Sequence, residues 1–195
     1  AFSLGVNIGV SGTAAVFHAS GQENENGEKS KEDATAVASY GSIFVEKTLG
    51  DKLAIGIDYV PATLSSETAN NDRLDKTASA TAASVVNSIK VDFQDLTTYY
   101  LTFNVSDSLY LKAGAVTVDV ITKESLGTGS TYGNTSLDGT MFGVGYNYGA
   151  DNGMFVRVEG NYMSFDGASL TANDNKIQLR SLDGVTGKVS IGRSF

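Results

Sequence analysis

The sequence predicts an all-β chain: an eight-stranded antiparallel up-and-down barrel that crosses a membrane with its strands. Three observations carry that expectation. Apolar residues alternate with small or polar ones over stretches of ten residues or more, and short turn-like connections alternate with long ones. The minority parity of the alternation collects glycines together with charges of both signs.

Composition agrees with strands. The 195 residues hold 22 glycines and one proline, Pro61, and they favour Thr, Ser, Val and Tyr over the residues that helices prefer. Length and even composition suit one domain over 1–195. With no cysteine, disulfides and thiolate metal sites are excluded, and no cofactor is implied. A net charge of -8 without a basic stripe argues against nucleic acid. No apolar run reaches the roughly 18 residues of a membrane-spanning helix, but a strand alternating between lipid and lumen needs none.

The first predicted strand sets the pattern. Phe2, Leu4, Val6, Ile8, Val10, Ala14 and Val16 share one parity, and Ser3, Gly5, Asn7, Gly9, Ser11 and Thr13 the other. The run begins at Ala1, which reads as a mature N-terminus left by signal-peptide removal. The second strand, about 35–49, places Gly41, Ile43 and Val45 outward and Tyr40, Ser42, Phe44 and Glu46 inward. The third sets Leu53, Ile55, Ile57 and Tyr59 against Ala54, Gly56 and Asp58 and ends near Pro61. The fourth, 89–105, sets Tyr99, Leu101, Phe103 and Val105 against Tyr100, Thr102 and Asn104.

In the fifth, 108–121, Leu109, Leu111, Ala113 and Ala115 share a parity, but Val116, Val118 and Val120 continue on the other, which predicts a bulge or register change near Ala115. The sixth opposes Phe142, Val144, Tyr146 and Tyr148 to Met141, Gly143, Gly145 and Asn147. The seventh opposes Met154, Val156, Val158, Gly160 and Tyr162 to Phe155, Arg157, Glu159 and Asn161. The last carries Val185, Val189, Ile191, Arg193 and Phe195 against Thr186, Lys188, Ser190, Gly192 and Ser194.

Connections at 49–52, 105–108 and 149–153 have the Gly, Asp, Asn and Ser of tight turns. Those at about 20–34, 62–88, 122–138 and 166–182 are long, and 20–34, being acidic and poor in apolar residues, is expected to be a mobile solvated loop. Residues 78–84 fit either a short helical coil or an upward extension of the fourth strand. Membrane barrels have short periplasmic turns and long extracellular loops, so both termini are expected in the periplasm.

A soluble barrel of lipocalin type would show the same alternation turned inside out. The minority face decides, because the whole apolar parity would overfill a narrow interior, whereas glycine suits a cramped lumen. Glu46, Asp58, Lys112, Arg157, Glu159 and Lys188 fall on that inner parity and are expected to pair as a lumen charge network, since an unpaired buried charge costs several kcal/mol. The lumen is then filled by side chains, leaving at most a narrow ion path. Tyr40, Tyr59, Tyr99, Tyr100, Tyr110, Tyr146, Tyr148 and Tyr162 mostly lie near predicted strand ends, where tyrosine anchors at the lipid boundary.

The final strand, with Val189, Ile191 and the terminal Phe195, resembles the assembly signature of bacterial outer-membrane barrels, although Arg193 stands where an apolar residue is commoner. The overall plan resembles the small OmpA/OmpX-type and opacity-like barrels over the whole chain. That resemblance implies a monomer in the bacterial outer membrane, assembled by the barrel assembly machinery and surrounded by outer-membrane lipid and lipopolysaccharide. Its acidic polar loops would serve a structural or surface-interaction role toward an extracellular ligand or a phage.

Chemistry is sparse. His18, the one histidine, shares a parity with Ser20, and Glu32 follows across the next connection, so serine, base and orienting acid are present in principle. This is similar to the His-x-Ser with a downstream Glu of outer-membrane lipid A deacylases, and a lipid-modifying hydrolase is the alternative to a non-enzymatic barrel. Acidic residues such as Glu23, Glu25, Asp33, Asp72 and Asp75 match no calcium-loop spacing, so no metal site is expected.

Overall fold

In a computed structural model, the structure describes residues 5–25, 28–66, 69–75, 83–126, 132–172 and 175–195. The described residues form strands joined by turns, without a helix. The strands are β1 (Val6–Glu25), β2 (Glu28–Leu49), β3 (Leu53–Tyr59), β4 (Leu64–Ser65), β5 (Ala69–Asp75), β6 (Ala83–Asn104), β7 (Leu109–Leu126), β8 (Thr135–Gly149), β9 (Met154–Phe165), β10 (Ala168–Ala172) and β11 (Asn175–Ser194). Each wall strand pairs antiparallel with the next, and β11 pairs with β1 from Asn7↔Ser194 upward, so the sheet closes. β3, β4 and β5 are successive pieces along β6, and β10 is a short piece along β11. The ring therefore has eight members, the number whose interior side chains can fill.

Parity decides what the wall shows. Ile55, Phe103 and Ile191 stand on the outside with about half their surface free, as do Val10 (52 %), Leu101 (51 %) and Phe142 (60 %). On the alternate positions Glu46, Asp58, Lys112, Glu159 and Lys188 are buried. A belt of exposed aliphatic and aromatic side chains around a ring that buries its charges is stable only against hydrocarbon, so this is a transmembrane barrel. Phe2 and Leu4 lie outside the described residues.

Four expectations need correction. The connection at 20–34 is no loop: β1 and β2 pair without a break from Val6↔Lys47 to Glu25↔Glu28. Backbone hydrogen bonding holds an antiparallel hairpin without an apolar face, so the loss of alternation there marked the end of the lipid belt and not of the strands. The other long connections shorten likewise, with β5 and the start of β6 inside 62–88, and β10 and the start of β11 inside 166–182. Within 78–84, Ala83 and Ser84 extend β6, whereas 78–82 lie outside the described residues.

The change of face near Ala115 does not occur. β7 runs in uninterrupted register with β8 from Leu109↔Tyr146 to Val120↔Thr135, so Val116, Val118 and Val120 point inward like Tyr110 and Lys112. The irregularity lies across the ladder in β6, between Gln94 and Thr97, where Asp95 adopts φ +53°. Aspartate tolerates that left-handed conformation better than most residues. Finally, Tyr40, Tyr100 and Tyr110 are buried in the lumen and are no rim anchors, while Tyr99, Tyr146, Tyr148 and Tyr162 face outward.

Glycine makes room for the inward rings. A Cβ at Gly56 would strike the ring of Tyr100 and one at Gly145 that of Tyr110, so each ring lies flat on a neighbouring strand where any larger residue would push it away.

Candidate functional site

The lumen is divided along the barrel axis. Following β7 inward from the short-turn end, the lumen-facing residues are Tyr110, Lys112, Gly114, Val116, Val118 and Val120; on β9 they are Phe155, Arg157, Glu159, Asn161, Met163 and Phe165. β11 shows the same order, with Ser190, Lys188 and Thr186 first and Leu182 beyond.

The short-turn half is a plug built from all six of the charges singled out in the sequence. Arg157 of β9 reaches Glu46 of β2 through both guanidinium nitrogens, Nη1 donating to Oε2 at 2.8 Å and Nη2 to Oε1 at 2.9 Å. Glu46 also accepts from Asn7 Nδ2 at 2.8 Å and Tyr100 Oη at 3.2 Å, and Arg157 Nε donates to Asn147 Oδ1 at 3.1 Å. Lys112 Nζ donates to Glu159 at 2.9 Å, where Tyr110 Oη donates at 2.8 Å, and Lys188 Nζ donates to Asp58 at 2.7 Å. Aromatic faces cover the cations. The Arg157 guanidinium carbon lies 4.5 Å from the centre of the Phe155 ring, and Lys112 Nζ lies 4.0 Å above Tyr100. On the short-turn side a polar recess of about 200 Å³, lined by Asn7, Asn104, Tyr110 and Asn147, ends on the Glu46–Arg157 pair.

The long-loop half departs from a filled lumen. It contains a cavity of about 400 Å³ lined by Phe17, Phe93, Val118, Leu137, Phe165 and Leu182, with more apolar residues between them. That volume lies within the about 300–1,000 Å³ typical of ligand pockets. The sequence reading missed this site, although its signal was present. Val116, Val118 and Val120 continue the parity of Lys112, and Met163 and Phe165 that of Arg157 and Glu159.

The wall beside the cavity is irregular. β2 pairs with β3 only from Leu49↔Leu53 to Ile43↔Tyr59, and among the described residues Glu28–Ser42 pair with neither β4 nor β5. The β3–β6 ladder stops at Tyr59↔Thr97 and resumes at Leu64↔Phe93, with Pro61 between and the Asp95 bulge opposite. Proline brings no N–H to a ladder and fits such a break. Tyr59 Oη donates to Asp95 Oδ1 at 2.6 Å, tying the bulge to the end of β3. Val37, 81 % exposed on β2, lines both this gap and the cavity.

His18 and Ser20 of the hydrolytic grouping bond to side chains of different strands. His18 is exposed with Nδ1 3.3 Å from Thr35 Oγ1 on β2, whereas Ser20 Oγ is 2.9 Å from Ser181 Oγ on β11. Glu32 pairs with Gly21, three positions along from Thr35, the partner of His18. Val189 and Ile191 face outward on β11, and the Arg193 guanidinium lies 5.5 Å from the centre of the Phe195 ring.

No known protein-family pattern matches the chain, and no curated protein matches its sequence. Its fold has solved counterparts. The outer-membrane protein OprG of Pseudomonas aeruginosa superposes with a TM-score of 0.55 at 13 % identity, covering 99 % of this chain and 97 % of that one. Neisserial surface protein A, NspA, gives 0.40 at 11 % identity over 94 % and 97 %. Ail of Yersinia pestis, crystallised with the heparin analogue sucrose octasulfate, gives 0.39 at 11 % identity over 96 % and 99 %. The fold is that of the small eight-stranded outer-membrane β-barrels.

Proposed function

We propose that this outer-membrane barrel takes up a small apolar molecule into the long-loop half of its lumen and is closed to ions by the charged plug beneath. Both termini and the short turns then lie in the periplasm and the tall hairpins outside, as in barrels of this plan. The observation that carries the reading is the segregation of the lumen. An apolar cavity of about 400 Å³ sits directly above three buried ion pairs, so an apolar guest gains burial above and meets a polar barrier below. The interrupted wall between β2 and β3–β4 supports a sideways exit into the outer leaflet, where an apolar molecule partitions without crossing the plug.

The chain contains no tryptophan, so a single introduced one reports its own surroundings. In the variant Phe165→Trp, bromobenzene is expected to quench the cavity reporter saturably, while Phe142→Trp on the lipid face is quenched only in proportion to the probe dissolved in the membrane. Identical, non-saturating curves for both would remove the reading.

A surface-interaction role for the hairpins is the second reading. Lys29, Lys31 and Asp33 are exposed on β2 beyond the apolar belt, where they meet headgroups or a partner and not hydrocarbon.

A further inference from the structure

The outer end of the cavity is lined by a residue that belongs to no strand. The β7–β8 ladder ends at Val120↔Thr135, whereas β7 itself continues along β6, with Thr122 opposite Val91. Above the last rung the Thr122 N–H donates at 3.2 Å to the side chain of Asn134, Oδ1, so a side-chain bond stands where the next backbone rung would be. The chain before Thr135 thereby leaves the wall. Gly133 and Asn134 are exposed, but Tyr132 is only 4 % exposed and lines the cavity with Thr122, Val120 and Leu137. Leu96 and Phe165 of the packed cluster below line the same cavity.

A tyrosine in a connecting segment, beside open water, hides its ring only if there is an apolar space to receive it. The cavity supplies that space. The Asn134 side chain fixes where the segment turns, two residues from the ring, and so helps to hold the ring at the mouth.

We propose that Tyr132 is the cap of the apolar cavity, and that its ring, pinned by Asn134, sets the rate at which apolar molecules enter from the long-loop end. This rests on the reading of the cavity as a binding site. A guest must displace the ring, which returns its apolar surface to water, so removing the ring opens the mouth and shortening the pin loosens it.

The test uses the full chain in lipid vesicles with the Phe165→Trp reporter and bromobenzene in a stopped-flow instrument. Adding Tyr132→Ala is expected to speed quenching by about tenfold while the final saturating level persists, because the burial of one aromatic ring no longer holds the mouth shut. Tyr132→Phe, which keeps the ring, is expected to stay far closer to the parent rate than Tyr132→Ala. Asn134→Ala gives an intermediate acceleration and serves as a second witness if Tyr132→Ala loses its heat-modifiable gel mobility. An unchanged rate in both Tyr132→Ala and Asn134→Ala, with saturation intact, overturns the cap and leaves the cavity as a site. Absence of saturation in the parent reporter itself overturns the cavity reading and the cap with it.

Discussion

Glu46 and Arg157, 111 residues apart in the chain, meet across the barrel in a two-pronged ion pair with side chains only 2 % and 12 % exposed. Further groups hold the pair, among them the Tyr110 ring, 5.5 Å from the guanidinium carbon. Asn7 and Tyr100 donate to the carboxylate, Asn147 accepts from the guanidinium, and Phe44 and Phe155 flank the cation. This geometry repays the desolvation of two charges, and it makes the loss of one partner costly.

The variant Glu46→Gln is therefore expected to destabilise the barrel by about 3–5 kcal/mol, since it leaves the Arg157 charge buried without its counterion. Urea unfolding in lipid vesicles measures this. In planar bilayers the same variant should show brief openings absent from the parent, and steady nanosiemens channels from the parent would contradict a closed plug.

Gly56 lies under the Tyr100 ring, where an added Cβ would overlap the phenol. Gly56→Ala is expected to cost about 1–3 kcal/mol by displacing that ring, and with it the hydrogen bond to Glu46. Gly12, facing lipid with nothing near its Cβ position, is the control, and Gly12→Ala should leave the unfolding midpoint no lower. Equal midpoints for both variants would remove the steric argument.

Asp92 lies above the apolar belt, where Lys123 forms an ion pair with it and Ser65 donates at 2.6 Å; these partners hold its carboxyl below the ordinary value of 3.8. A depressed folded pKa stabilises above the unfolded value and loses that contribution as pH falls below 3.8 toward the lowered one. Between pH 5 and 3 the β4–β6 rung from Ser66 N–H to the Val91 carbonyl should lose protection against hydrogen exchange, after correction for intrinsic rates. In Asp92→Asn the rung should be weaker at pH 5 and insensitive to the change.

The strand faces were legible because lipid imposes a rule on every second residue, and one residue of slippage would put Arg157 in hydrocarbon. The charges were legible for the same reason, as Glu46, Asp58, Lys112, Arg157, Glu159 and Lys188 sit on a parity that has no other place for them. The heights of the hairpins were not. Above the membrane no solvent selects one face, so Glu23 and Lys31 carry no alternation although β1 and β2 stay paired there. Val116, Val118 and Val120 misled because an apolar residue on the inner parity looks like a change of register when one assumes a uniformly polar lumen.

By itself the sequence determined a closed wall of alternating strands, its lipid face and the inventory of charges within, because each follows from local period and from the cost of placing a charge in hydrocarbon. Only the tertiary structure decided which charge meets which, that the upper lumen is apolar and hollow, and that Tyr132 lines it. Those features depend on side chains from strands far apart in the chain arriving at one height along the axis. That height is set by the stagger of the whole ring, which no single segment encodes.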